Sequence, residues 1–144
     1  MKNNGIITFT SLEDAIHDWA KQYRPLSIDY EHGAMIYRRE STEVTTYRIG
    51  KTIRGTKGSK ITRPNVVLAF LYFYGIESIF RWILHRDVIA AFIHTHPRPP
   101  LGFSYRRHSK EDLGLLKLKR IKEVIVVPYE NQEMNREVKS KPSA

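Results

Sequence analysis

The sequence predicts one compact domain of the α/β (α+β) class over residues 1–130, in which helices flank a mixed β-sheet, and a flexible tail over residues 131–144. The 144 residues fall within the usual size of one domain. Their composition, with 41% hydrophobic and 27% charged residues, is that of a globular protein. Segments with helical periodicity and segments rich in strand-forming residues follow one another until a polar, unpatterned stretch begins at Asn131.

The N-terminal part of the chain predicts a helix and a β-hairpin. Ser11 precedes two acidic residues and is a good N-cap, and apolar residues then recur at helical spacing as far as Tyr23. Residues 31–38 and 43–49 are rich in strand-forming residues, so we expect two strands joined by a short turn. Residues 50–60 hold three glycines and four Lys or Arg residues, which indicates a flexible basic loop or the tip of a hairpin.

The rest of the chain predicts a buried helix, a central strand, a second helix and a final strand. Residues 65–84 are apolar, but polar and charged residues interrupt them, whereas a membrane span needs about 20 mostly apolar residues. We therefore expect a buried helix there, with residues 66–74 equally compatible with a strand. The segment over residues 87–93 contains a continuous apolar run from Val88 to Ile93, which is typical of a central strand. After a proline-rich loop, Ser109 can cap a leucine-containing helix, and residues 123–127 supply the last strand.

Two histidines follow the predicted central strand, in the segment His94-Thr95-His96-Pro97. Residues i and i+2 of a strand point to the same face, so His94 and His96 can offer both imidazoles to one ion. Asp112, in the first turn of the following helix, is the natural third ligand. Two histidines, one carboxylate and an open fourth position describe a catalytic zinc site. The sequence has no cysteine, so any metal must be held by nitrogen and oxygen.

Hydrolysis also needs a group that moves the proton of the attacking water. Glu31 is the candidate, because it begins a strand that can lie beside the strand of the histidines. Glu40, Glu43 and Glu77 lie in less suitable turn or helix settings. Ser109 can donate a hydrogen bond to a developing oxyanion. His32 and His108 adjoin Glu31 and Ser109 in the sequence and could border the site.

Each of these residues also has a purely structural interpretation. A histidine pair at a strand end can simply be polar residues where the strand reaches solvent, and Glu31 can be a surface glutamate at a strand start. Ser109 and Asp112 form a Ser-x-x-Asp pattern, which is also a capping box that orders the start of a helix. The combination of both motifs after a buried strand is what favours a metal site.

The motifs resemble the JAMM (JAB/MPN-type) metallopeptidase family, whose signature is a distant Glu, then His-x-His-Pro, then Ser-x-x-Asp. The matching positions are Glu31, His94 with His96, and Ser109 with Asp112, and the order of elements is similar from Ser11 to Tyr129. Twelve residues, from Pro97 to His108, separate His96 from Ser109, which is more than the family usually has. We expect the longer loop to reshape the substrate groove without moving the metal ligands.

The resemblance implies zinc-dependent cleavage of peptide or isopeptide bonds. It gives Glu31 the role of general base, makes His94, His96 and Asp112 zinc ligands, and lets Ser109 support the tetrahedral intermediate. The chain looks most like the JAB-like domains of bacterial polymorphic toxin and effector systems. A protein or peptide substrate and an immunity or partner protein are therefore expected. The first residues lack a classical signal peptide, so we expect a cytoplasmic location or delivery by a dedicated secretion system.

Two other functions remain open on the sequence alone. The net charge of +9 would suit a metal-dependent nuclease toxin that contacts phosphates, although no nucleic-acid motif is present. An inactive JAMM-like scaffold that binds a partner protein is the alternative from a different class. Such a scaffold has no chemical need for all five site residues, which argues against it.

Overall fold

The computed structural model describes residues 7–28, 30–57, 64–96, 121–128 and 135–138. This part of the chain forms two helices and six strands, and the α+β class predicted from the sequence is confirmed. In chain order the elements are α1 (Leu12–Tyr23), β1 (Tyr30–Glu40), β2 (Thr45–Ile49), β3 (Ile53–Lys57), α2 (Pro64–His85), β4 (Val88–His96), β5 (Glu123–Pro128) and β6 (Asn135–Val138).

The six strands form one mixed sheet, in which five follow the order β2-β1-β4-β5-β6 and β3 also pairs with β1. Strand β1 is antiparallel to β4 on one side, and on its other side it is antiparallel to both β2 and β3. Strand β5 lies parallel to β4, and β6 is antiparallel to β5. The 11-residue β1 and the apolar β4 are therefore the centre of the sheet, as the hydrophobic run in β4 predicts.

Helix α1 covers one face of the sheet, which we call the α1 face. Its buried residues Ile16 and Trp19 pack with Ile36 of β1, Ile93 of β4 and Ile125 of β5 in one cluster. The predicted cap is confirmed, since the Ser11 hydroxyl accepts a hydrogen bond from the backbone N–H of Asp14 at 3.0 Å. Local spacing and capping thus suffice to define this helix.

Helix α2 covers part of the opposite face, the α2 face. Tyr74 packs there with Tyr37 and Met35 of β1 and Phe92 of β4. A single helix runs through residues 66–74, whose sequence is equally compatible with a strand. None of the helices in the described residues is both long enough and apolar enough to span a membrane.

The second half of α2 is not buried as the sequence predicts. The helix exposes large apolar side chains on its outer side, and these are Ile76, Ile79, Phe80, Trp82, Ile83 and Leu84. Its inner side instead carries Glu77, which accepts hydrogen bonds from the Tyr37 hydroxyl at 2.6 Å and from the Lys51 backbone N–H at 2.9 Å. Polar contacts as well as apolar packing therefore join the described part of this helix to the sheet.

Two segments predicted to lack regular structure form strands. Ile53–Lys57, within the predicted basic loop, pairs with β1 between Tyr30 and Gly33. Asn135–Val138, within the predicted flexible tail, pairs with β5, so the expectation of an unstructured chain after residue 130 is wrong for these four residues. Both strands lie along sheet edges, where pairing with a distant strand decides the conformation and local composition does not.

Candidate functional site

The register between β1 and β4 brings Glu31 and His94 to the same face of the sheet. Gly33 lies directly opposite His94, and residues opposite each other on antiparallel strands share a face. Glu31 precedes Gly33 by two residues, so it lies on that face as well. Strand β4 continues through His96, which confirms that the two histidines are residues i and i+2 of one strand. This is the α2 face, because Phe92 lies two residues before His94.

Both side chains are buried. His94 is 1% exposed and Glu31 is 7% exposed. The His94 imidazole stacks on the Phe92 ring, with ring centroids 5.1 Å apart and an interplanar angle of 16°. Phe92 in turn meets the Tyr74 ring edge to face at 5.6 Å. The imidazole is therefore held in orientation by a row of aromatic rings, which is the kind of support that a ligand or catalytic histidine needs.

Gly33 keeps this corner of the site tightly packed. A Cβ atom at this position would lie 3.3 Å from both Cζ of Phe92 and the Tyr74 hydroxyl oxygen. A residue with a side chain would therefore require one of these rings to shift by a few tenths of an ångström. The glycine lets the backbone of β1 approach the aromatic row closely.

Tyr74 links helix α2 to the strand that carries Glu31. Its hydroxyl donates a short hydrogen bond to the Gly33 carbonyl oxygen. Burial first, and then the charges of Glu77 and Glu31, raise the pKa of the Tyr74 hydroxyl, so it stays protonated and remains a donor. The influence of Glu31 also indicates that its carboxylate lies near this hydroxyl. The sequence does not reveal this role, because no local pattern decides which tyrosine of α2 faces the sheet.

The hydrogen bond of Tyr74 leads to a prediction about stability. Tyr74→Phe removes the donor to a buried carbonyl, so we expect a loss of about 1 kcal/mol in the free energy of unfolding in urea. Tyr47→Phe is the control, because the described residues offer its hydroxyl no hydrogen-bond partner, and it should cost clearly less. Equal losses in both variants would show that the bond to Gly33 contributes nothing.

His32 lies on the other face of the sheet and does not border the site. Its backbone N–H donates to the Thr95 hydroxyl at 2.8 Å, and its Nδ1 lies 2.8 Å from the Ser27 hydroxyl. Its ring also contacts the Tyr23 ring, with centroids 5.5 Å apart. Burial is the main cause that lowers the pKa of His32, and the charge of Arg54 adds to it. His32 therefore serves to pack α1 and the following turn against the sheet.

The remaining predicted site residues fall where the structure is not described. Ser109 and Asp112 lie outside the described residues, as does the side chain of His96. The structure thus places Glu31 and His94 on the same face of two adjacent strands, while the ligand roles of His94, His96 and Asp112 stay predictions. Within the described ranges, no three His, Asp or Glu side chains lie together in a group that would hold a metal ion.

Comparison of the chain with protein-family models, curated proteins and solved structures finds no match.

Proposed function

We propose that the protein is a zinc-dependent hydrolase of the JAMM type that cleaves peptide or isopeptide bonds, and that it acts as a toxin or effector module. The observation that supports this proposal best is the placement of Glu31 and His94. They are buried on the same face of two adjacent strands, although 62 residues of sequence lie between them. A hydrolytic zinc site needs a carboxylate base beside its histidine ligands.

The donor chemistry at this strand end fits zinc. An imidazole is a preferred zinc ligand, and His94 is buried at the end of a central strand with its ring orientation supported by Phe92. His96 and Asp112 would complete a set of two nitrogen ligands and one oxygen ligand. When bound there, zinc would supply Lewis acidity, which polarises the scissile carbonyl and lowers the pKa of water.

Glu31 would act as general base and then as general acid in this reaction. Its carboxylate would take a proton from the attacking water as the water oxygen bonds to the carbonyl carbon. The same proton would then pass to the leaving amide nitrogen as the C–N bond breaks. Burial helps this transfer, because few water molecules compete for the carboxylate. Ser109 would donate a hydrogen bond to the developing oxyanion.

The first test is the zinc content of the purified protein by mass spectrometry. We expect about one zinc ion per chain in the parent and in Glu31→Gln, and little in His94→Ala/His96→Ala, because only the double variant removes ligands. His17→Ala/His85→Ala is the matched control, since it removes two exposed histidines from the helices. A parent that does not take up added zinc, or equal loss of zinc in both double variants, would contradict the proposed site.

A further inference from the structure

A second charged cluster lies where β1 and β2 meet the C-terminal end of α2. Arg39 donates two hydrogen bonds to the carboxylate of Asp87, from Nε at 2.6 Å and from Nη2 at 3.0 Å. Arg81 places its Nη1 atom 3.6 Å from Oδ2 of the same carboxylate. Arg48 lies beside them, because it pairs with Tyr37 in the sheet and Arg81 stacks on the Tyr37 ring at 5.0 Å.

The positive charges of this cluster exceed the negative ones. Arg39 and Arg81 contact both oxygens of the Asp87 carboxylate, and Arg48 lies beside them. The nearby Glu77 carboxylate accepts hydrogen bonds from the Tyr37 hydroxyl and the Lys51 backbone N–H. Within the described part of the chain, the Arg48 side chain makes one hydrogen bond, to the Thr46 hydroxyl at 3.0 Å. Burial, and then the charge of Arg39, lower the pKa of the Arg48 guanidinium. Arg48 is thus a partly buried cation held next to two others.

A cleft of about 640 Å³ opens beside the cluster, and Arg39, Arg48, Arg81 and His85 contribute to its lining. Asp18 also lines the cleft, but its carboxylate accepts a hydrogen bond from the Gln22 side chain at 2.7 Å. The volume falls in the range of about 300–1,000 Å³ that is usual for small-molecule sites. An anionic ligand could therefore enter and reach the guanidinium groups.

We infer that this cleft binds a small molecule that carries a phosphate group, with the phosphate held by Arg48 and Arg81. A guanidinium group presents paired N–H donors that match the oxygens of a phosphate, and it stays charged when partly buried. A dianion between these side chains would also relieve the repulsion among the three cations. A single carboxylate on the ligand would offset less of this charge.

The phosphate site is separate from the proposed zinc site. Arg39 is six residues further along β1 than Gly33, which corresponds to about 20 Å of extended strand. Loss of the zinc site would therefore leave the arginine cluster intact. The inference does not depend on the proposed hydrolase activity.

Isothermal titration calorimetry with inorganic phosphate and with adenosine monophosphate tests this inference. We expect binding near one ligand per chain, and at least about tenfold weaker binding in Arg48→Gln, which corresponds to about 1.4 kcal/mol. Arg54→Gln is the matched control. It removes an equal charge from the neighbouring strand β3, where Arg54 stacks on Tyr30 at 4.7 Å outside the cleft, and it should bind like the parent.

The possible results distinguish a specific binding site from nonspecific electrostatic attraction. Tighter binding of the nucleotide than of inorganic phosphate would assign a phosphorylated organic ligand, and equal binding would assign the phosphate alone. No binding by the parent would overturn the inference, as would equal weakening in both variants or binding of nucleic acid only. If Arg48→Gln does not fold, NMR of the parent protein tests the inference instead. Added phosphate should shift the Nε resonances of Arg48 and Arg81 and leave those of the other arginines unchanged.

Discussion

Glu31→Gln is expected to lower the rate of peptide hydrolysis by at least about 10²-fold while the zinc content stays at the parent level. The amide has nearly the same size and shape as the carboxylate, but it cannot accept the proton of the attacking water. Glu31 is also 7% exposed, so bulk water has little access to take over its role. A library of proteome-derived peptides, read by mass spectrometry for new termini, supplies the activity measurement.

Glu123→Gln is the control for this substitution. Glu123 is another buried glutamate at the start of a sheet strand, with 6% exposure. It lies two residues before Ile125, so both side chains are on the α1 face, which is opposite to the face of His94. We expect this variant to cleave the library like the parent. Full activity in Glu31→Gln would remove Glu31 from the mechanism, whereas cleavage lost together with zinc would make it a ligand.

Local signals in the sequence were enough to predict the elements that carry the site. The Ser11 cap and the apolar spacing define α1, and the apolar run before His94 defines β4. The spacing of His94 and His96 within one strand follows from the same run. These features depend on residues close together in the chain, so they can be read without knowledge of the fold.

Contacts between distant residues explain what the sequence did not reveal. Strand β3 contains Arg54, Gly55 and Lys57, which do not favour strands, and it forms because the edge of β1 beyond β2 is free to pair. The position of Glu31 next to the histidine strand could be proposed from the sequence, but the register that establishes it is a property of the sheet. Tyr74 acts on a residue 41 positions away in the chain.

The arginine cluster was missed for the same reason. Its arginines lie in β1, β2 and α2. The buried Asp87, which contacts Arg39 and Arg81, follows the end of α2. Arg86, with φ of 59°, turns the chain there, and the backbone N–H of Asp87 donates to the Arg81 carbonyl oxygen at 3.2 Å. In the sequence each arginine looks like an ordinary surface charge. Only the fold shows that Arg39 and Arg81 share one carboxylate and that Arg48 lies beside them.

Asp87→Asn is expected to destabilise the protein by about 3 kcal/mol at neutral pH. The Asp87 side chain is 1% exposed and accepts two hydrogen bonds from Arg39, and the neutral amide would leave the Arg39 and Arg81 guanidinium groups without the carboxylate that they contact. Burial alone would raise the pKa of Asp87, but the hydrogen bonds and charge of Arg39, with the charges of Arg81 and Arg48, hold it below its usual value. Urea unfolding of parent and variant at several pH values measures the difference.

The sign of the pH dependence follows from the lowered pKa of Asp87. The unfolded chain binds a proton at this carboxylate near pH 4, whereas the folded protein resists protonation to a lower pH. The stabilisation by Asp87 is therefore complete above about pH 4 and is lost as the pH falls below that value. The parent and Asp87→Asn should thus converge in stability in acid, because both then carry a neutral side chain at this position.

Glu40→Gln separates this effect from general acid sensitivity. Glu40 pairs with Arg38 at 3.3 Å, but its side chain is 68% exposed, so solvent screens the pair and its loss should cost less than about 1 kcal/mol. If Asp87→Asn lowers the free energy of unfolding as little as Glu40→Gln does, solvent already screens the charges of the three arginines. In that case the repulsion that a bound phosphate would relieve would also be small, and the case for a phosphate site beside Arg48 would weaken with it.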